Sequence, residues 1–292
     1  MTDPVERYTA RLRRVLAHID RHPDAPLDLD RLSAIAAFSP CHFHRQFGAT
    51  IGLSLHRYVQ LSRMERAAHA LAFRGDVRVT DVAIDAGYDS PDAFARAFRR
   101  RFGQSPSGFR AAPDWRGWAA TLRPFHQARS QIMTMAFTLD DVTIRTVDPV
   151  AVAMMRHIGD PATIGDTIRR FIAWRQATGT TPPASATYTV FHDDPQVTPP
   201  EAYRMDLCAA TGRAIGADEP VAAGTIPGGR CAVLRVVGDT HDLEPAARFL
   251  YGTWLPQSGE QLRDFPLYCQ RVRFFPDVPA QEAIVDLFLP II

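Results

Sequence analysis

A chain of 292 residues, 46% hydrophobic and 22% charged, carries enough apolar material for two globular cores and excludes a disordered or fibrous polymer. No apolar run reaches the length of a membrane span, the first residues (M-T-D-P-V-E-R) lack the apolar stretch of a signal peptide, and four scattered cysteines without C-x-x-C spacing read as reduced thiols in a cytoplasmic protein. The net charge of +1 hides a segregation: lysine is absent, residues 1–133 hold 20 Arg against 13 Asp and Glu (+7), and residues 134–292 hold 13 against 19 (−6). Only the first half is therefore expected to meet a polyanion.

In chain order, segment 7–21 places Leu12, Val15, Leu16 and Ile19 on one helical stripe, ended by Pro23 and Pro26. Asp28 can cap a short helix that turns Leu29, Leu32, Ile35 and Ala36 inward. Ser39-Pro40 then starts a second helix, because the hydroxyl accepts an orphan N–H and the proline has none to leave unpaired. Phe43 and Phe47 make its buried seam, and Cys41, His42, His44 and Arg45 lie off it. Leu55–Phe73 contains no Gly or Pro and carries apolar residues at Leu55, Val59, Met64, Ala67, Ala68 and Leu71, which predicts one continuous helix.

The short-helix pattern then returns. Val82, Ala83 and Ala86 precede a turn at Gly87, and Ser90-Pro91 opens a helix burying Phe94 and Phe98. Asp92, Ala95, Arg96, Arg99 and Arg100 point away from that seam. Aligning Ser39-Pro40 with Ser90-Pro91 puts Arg45 on Arg96, Gly52 on Gly103 and Tyr58 on Phe109. Two such helix pairs, each with a polar outer face, form a tandem helix-turn-helix pattern. A helix of roughly 20 residues spans about 30 Å, close to the roughly 34 Å between successive major-groove faces of B-DNA. Cys41, His42 and His44 have poor metal-ligand spacing on one helix, and no metal is expected.

Residues 113–137, with Pro113 and Pro124 and no long periodicity, read as a linker. Beyond Val142 the pattern changes to short strands: V-T-I-R-T-V, V-A-V-A-M-M-R-H-I-G-D, a helix over Ile164–Gln176, A-T-Y-T-V-F-H-D-D and E-A-Y-R-M-D-L-C-A-A. The same order recurs in C-A-V-L-R-V-V-G-D, a helix over Glu244–Leu255, P-L-Y-C-Q-R-V-R-F-F-P-D and E-A-I-V-D-L-F-L-P-I. Arg235 falls on Arg156, Gly238 on Gly159, Asp239 on Asp160, Asp286 on Asp206 and Trp254 on Trp174. Two β-α-β-β copies predict a pseudo-twofold α+β domain with a pocket at the seam, lined by Trp174, Tyr188, Phe191, Trp254 and Tyr268.

The run Asp28–Arg110 resembles the DNA-binding domain of the AraC/XylS regulators, through A-x-x-x-G-Y-x-S-x-x-x-F-x-R-x-F-R-x-x-F-G-x-S-P over Ala83–Pro106. The resemblance implies that Cys41, His44 and Arg45 face bases from the first recognition helix, and Pro91, Asp92 and Arg96 from the second. Arg45 and Arg96 can each take a guanine bidentately, while Arg99, Arg100 and Arg101 suit phosphates. The second half resembles the GyrI-like effector-binding domain, through H-I-G-D, F-H-D-D-P (Phe191–Pro195), I-P-G-G-R (Ile226–Arg230), W-L-P-x-S-G (Trp254–Gly259) and the closing E-A-I-V-D-L-F-L-P. Members of that family bind amphipathic or cationic molecules, several through a Glu in P-x-x-E-x-Y. Here the stretch Pro266–Arg271 puts Cys269 in place of the Glu, which removes the counter-ion for a cation and admits a neutral or acidic ligand.

The combined expectation is a non-enzymatic, nucleoid-associated transcription regulator with three domain segments: 1–112 binding double-stranded DNA, 113–137 linking, and 138–292 binding a small-molecule effector. RNA polymerase is an expected partner, and no cofactor or membrane is. The alternatives are that the second domain is a small-molecule hydrolase, as some free-standing relatives are, or a protein-interaction module.

Overall fold

The computed structural model describes residues 4–292 apart from 23, 24, 26, 134–136, 239–242, 275–277 and 279–281. Pro23, Pro26 and Asp239 thus lie outside the described residues, as does the end of the strand segment at 275–277. The chain divides into two compact units, Met1–Met135 and Ala136–Ile292.

The first unit is helical: α1 (Pro4–Arg21), α2 (Leu29–Ala36), α3 (Pro40–Ile51), α4 (Leu55–Phe73), α5 (Val79–Asp85), α6 (Pro91–Phe102), α7 (Pro106–Ala111) and α8 (Trp115–Met133). One capping device recurs. Asp28, Ser39, Ser54, Ser90 and Ser105 each occupy an N-cap and accept a backbone N–H three residues on, and the proline after Ser39, Ser90 and Ser105 takes the first helical place. Gly52 and Gly103 end α3 and α6 in the left-handed region, at φ 71° and 75°. Phe43, Phe47, Phe94 and Phe98 are fully buried in one core with the apolar stripes of α1 and α4.

The expected linker is instead mostly helix. Residues 115–133 form α8, and Trp115, Leu122, Phe125, Ala128 and Ile132 are buried in the first unit's core. The 3–4 spacing of positions 115, 118, 122, 125, 129 and 132 is a helical stripe that holds an arginine where an apolar residue would otherwise stand. That arginine and the internal Pro124 masked the periodicity. Arg129 is buried and donates to both carboxylate oxygens of Asp20 on α1 (2.5 and 2.9 Å) and to the Tyr58 hydroxyl on α4 (3.3 Å). α8 also packs on α3 and α6.

Among the described residues, the second unit forms an eight-stranded antiparallel sheet with helices. Its strands are β1 (Val142–Val147), β2 (Val150–Ile158), β3 (Thr187–Phe191), β4 (Arg204–Ala210), β5 (Ala222–Ile226), β6 (Gly229–Val237), β7 (Tyr268–Arg273) and β8 (Ile284–Pro290), in spatial order β1-β6-β8-β7-β3-β4-β2-β5. Helix α9 (Ile164–Thr178) precedes β3. Before β7 runs one helical stretch: α10 (Glu244–Phe249), a π turn at Leu250–Trp254, and α11 (Leu255–Ser258).

Strand β5 has no counterpart among the expected strands. Its A-A-G-T-I carries little β propensity, and Gly224 lies close under Met154: a Cβ there would stand 2.3 Å from the Met154 Cε, which would have to move. The register repeats across the sheet, with Arg156 opposite Asp206 in β2–β4 and Arg235 opposite Asp286 in β6–β8.

Candidate nucleic-acid interface and ligand-binding face

Helices α3 and α6 each bury their phenylalanines and expose the opposite side. Cys41, His42, His44 and Arg45 on α3 are all exposed, and so are Pro91, Asp92, Arg96, Arg99 and Arg100 on α6. Among the described residues, the side chains of Arg45, Arg96, Arg99 and Arg100 form no hydrogen bond or ion pair, which leaves four guanidiniums uncommitted. The last turn of α6 holds Arg99, Arg100 and Arg101. Burial, and then the charges of Arg57 and Arg100, hold the Arg101 guanidinium below its ordinary value. Arg57, at the start of α4, is thus a further member of the basic face, and its place after the Ser54 cap gave no sign of this in the sequence. The continuous α4 carries 19 residues, a length of about 28 Å at 1.5 Å per residue.

In the second unit the six expected ligand residues separate onto two faces of the sheet. Tyr188 and Tyr268 lie on one face, with Val152, Val190, Cys208, Val233 and Phe288. Tyr268 stacks on Phe288 at 4.8 Å, interplanar 3°, and its hydroxyl lies 3.6 Å from the Cys231 sulfur. Burial pushes both phenols up.

Trp174, Trp254, Cys269 and Phe191 belong to the other face, where the helices pack on the sheet. Trp174 and Phe171 of α9 pack on Leu207 of β4, while Trp254 and Leu250 of the π turn pack with Cys269 and Leu287 of the sheet, where Phe191 joins them. Cys269 has no exposure, and burial pushes its thiol up. The alternation of β3 and β7 makes this split inevitable, since Tyr268 and Cys269 are adjacent in one strand and point to opposite sides.

Two arginine–aspartate pairs stand at matched places on the tyrosine face. Arg156 donates to Asp206 at 2.8 and 2.9 Å, and Arg235 to Asp286 at 2.7 Å twice. Burial pushes the Asp206 carboxyl up, but hydrogen bonds from Arg156 and His192 outweigh it and leave it below its ordinary value.

On the other face a strap covers Trp174. Its Nε1 donates to Glu219 at 2.8 Å, Gly216 N–H donates to the same carboxylate at 2.8 Å, and Arg213 pairs with it and lies over the indole ring at 5.8 Å. The Arg213 hydrogen bond, then those of Gly216 and Trp174, pull the Glu219 carboxyl from 4.5 down to about 2. A depressed carboxyl contributes its grip fully above its unfolded value and loses it as pH falls through the folded one. The difference in tryptophan fluorescence between wild type and Glu219→Gln, which reports on the Trp174 contact, should therefore hold steady from neutral pH to about 4.5 and disappear towards about 2. A difference that vanished already near pH 5 would show that Glu219 is not held.

The tandem helical readers and the helix-covered sheet define a DNA-binding transcription regulator of AraC type that carries a small-molecule binding domain. Residues 140–292 match the family described as the GyrI-like small molecule binding domain, and the chain belongs to it; residues 32–112 match a helix-turn-helix domain. The probable transcriptional regulator YgiV of Escherichia coli (strain K12) is 34% identical over 153 residues, 52% of this chain and 96% of YgiV. The right origin-binding protein of Escherichia coli (strain K12) is 33% identical over 104 residues, 36% of each chain. A crystal structure of the DNA-binding domain of AdpA with a target DNA is 32% identical, covering 36% of this chain and 95% of that one, with a TM-score of 0.33.

Proposed function

We propose that one chain reads two successive major grooves with α3 and α6, and that the GyrI-like unit senses a small molecule and thereby changes the chain's action on RNA polymerase. The observation that carries the DNA reading is the matched pair of exposed, uncommitted arginines, Arg45 and Arg96. They stand on two Ser-Pro-capped helices joined by the unbroken α4. Arg45 and Arg96 take the base-reading role with His44 and Asp92. Cys41 and Pro91 offer bases little beyond apolar contact, and Arg99, Arg100, Arg101 and Arg57 hold phosphates. In the second unit, two β-α-β-β copies about a pseudo-twofold axis account for the strand order and for the two arginine–aspartate pairs. The face bearing Tyr188 and Tyr268 at the central β3–β7 pair is the ligand face of this reading.

The test starts from a site selected out of a random duplex pool. Arg45→Ala and Arg96→Ala should each cost about 1–3 kcal/mol on that site and much less on random DNA, whereas Arg100→Ala should weaken both alike. Equal losses on all sequences for Arg45→Ala would reduce that residue to a phosphate contact.

A further inference from the structure

The two readers pack on α4 and α8 in preference to one another, and a cleft of about 520 Å³ opens between them. Leu29 and His44 from the first reader line it, with Val59 and Arg63 from α4 and Gly87 and Tyr88 from the second. Arg63 is the side chain that ties both sides together. Its Nη2 donates to the carbonyl of Ala25, on the segment that enters α2, at 3.1 Å. Its guanidinium also lies close against the turn between α5 and α6. A Cβ on Gly87 would stand 2.7 Å from Nη1 and 3.0 Å from Cζ.

Gly87 therefore meets two demands. Its φ of 78° is a left-handed turn conformation that favours glycine, and the guanidinium occupies the space any side chain would need. The broad, five-donor head of arginine can donate to Ala25 while its other side fills the space at Gly87, and a lysine at that place would make neither contact in the same way.

We infer that Arg63 is a positioning residue that fixes the separation and rotation of the two readers, and so sets the spacing between the two half-sites the chain recognises. The inference rests on the two-groove reading proposed above. A helix of α4's length sets an approximate distance. The contact from its middle to Ala25 on one side and Gly87 on the other sets the rotation, which matters because one inserted base pair turns a half-site by roughly 35°. No contact of Arg63 with DNA is needed for this role.

The experiment measures binding of the full chain to duplexes carrying both half-sites at the selected spacing or with one or two base pairs inserted or removed, and to duplexes with either half-site alone. Wild type, Arg63→Met and Gly87→Asn are compared. Asparagine tolerates the left-handed turn best among other residues, so Gly87→Asn adds the Cβ while keeping the backbone. Thermal melting by circular dichroism establishes that each variant is folded. Both variants should lose about tenfold on the selected spacing, equivalent to about 1.4 kcal/mol, and their penalty for one inserted base pair should fall to within about threefold. Binding to single half-sites should stay within about twofold of wild type. An Arg63→Met chain with the wild-type spacing profile would overturn the inference, as would an equal loss on every duplex, single half-sites included, which marks a merely structural role. A wild-type chain indifferent to spacing would bring down the two-groove reading itself, and the positioning role with it.

Discussion

Raising salt from about 50 to 200 mM should weaken binding of the chain to its selected site by about 10³- to 10⁵-fold, provided 6–10 phosphates are contacted. The basis is the charge segregation joined to its placement. The excess of arginine over acid in residues 1–133 falls on a unit that exposes Arg45, Arg96, Arg99 and Arg100 on its reader helices without acidic partners. Each arginine that neutralises a phosphate releases a condensed counterion, and the logarithm of affinity falls with the logarithm of salt in proportion to their number. Arg100→Ala should reduce the slope by about one, whereas a residue that only reads bases, such as His44, should leave it unchanged. A slope near zero would show that these arginines are a solvated face and nothing more.

Asp20→Ala should destabilise the first unit by about 3–5 kcal/mol. Both partners of the Asp20–Arg129 pair are 6% exposed at the side chain, and the alanine takes the carboxylate away from a buried guanidinium and leaves unfilled space beside it. The cost is that of stranding a charge rather than the worth of the pair, so the double replacement Asp20→Leu with Arg129→Met should recover most of it. Because the chain has two units, the loss is best read as faster amide exchange confined to α1, α4 and α8, or as a shift of one calorimetric transition. An Asp20→Ala variant within about 1 kcal/mol of wild type would mean that α8 is not docked as described.

The readers were legible because their signals are local: a serine cap, a proline behind it, phenylalanines four apart and a glycine at the end all lie within one turn or two. The unbroken Leu55–Phe73 stripe gave α4 its full length for the same reason. Helix α8 was illegible because its stripe contains Arg129, and an arginine becomes a core residue only when its partner, 109 residues away, is known. The latch at Arg63 was hidden in the same way, since nothing near Arg63 in sequence points to Ala25 or Gly87.

In the second unit, alternation identified the strands that carry Val, Ile and Leu but passed over β5, whose Gly224 answers to Met154 rather than to strand propensity. Five of the six expected ligand residues are large aromatics, and aromaticity does not say which way a side chain faces. Tyr188 and Tyr268 share a face, and Trp174, Trp254, Cys269 and Phe191 occupy the other. Cys269→Glu should accordingly destabilise the second unit by several kcal/mol, since the carboxylate would be buried among Trp254, Leu250 and Leu287.

In the proposed mode of binding, a single chain holds two readers one helical turn apart. A hydroxyl-radical footprint of the full chain on its selected site, taken together with the mass of the complex, tests this most directly. One chain per duplex, with two protected patches on the same side of the DNA about 10–10.5 base pairs apart, is the predicted result. Two chains on a palindrome, or one protected patch under a single chain, would contradict it.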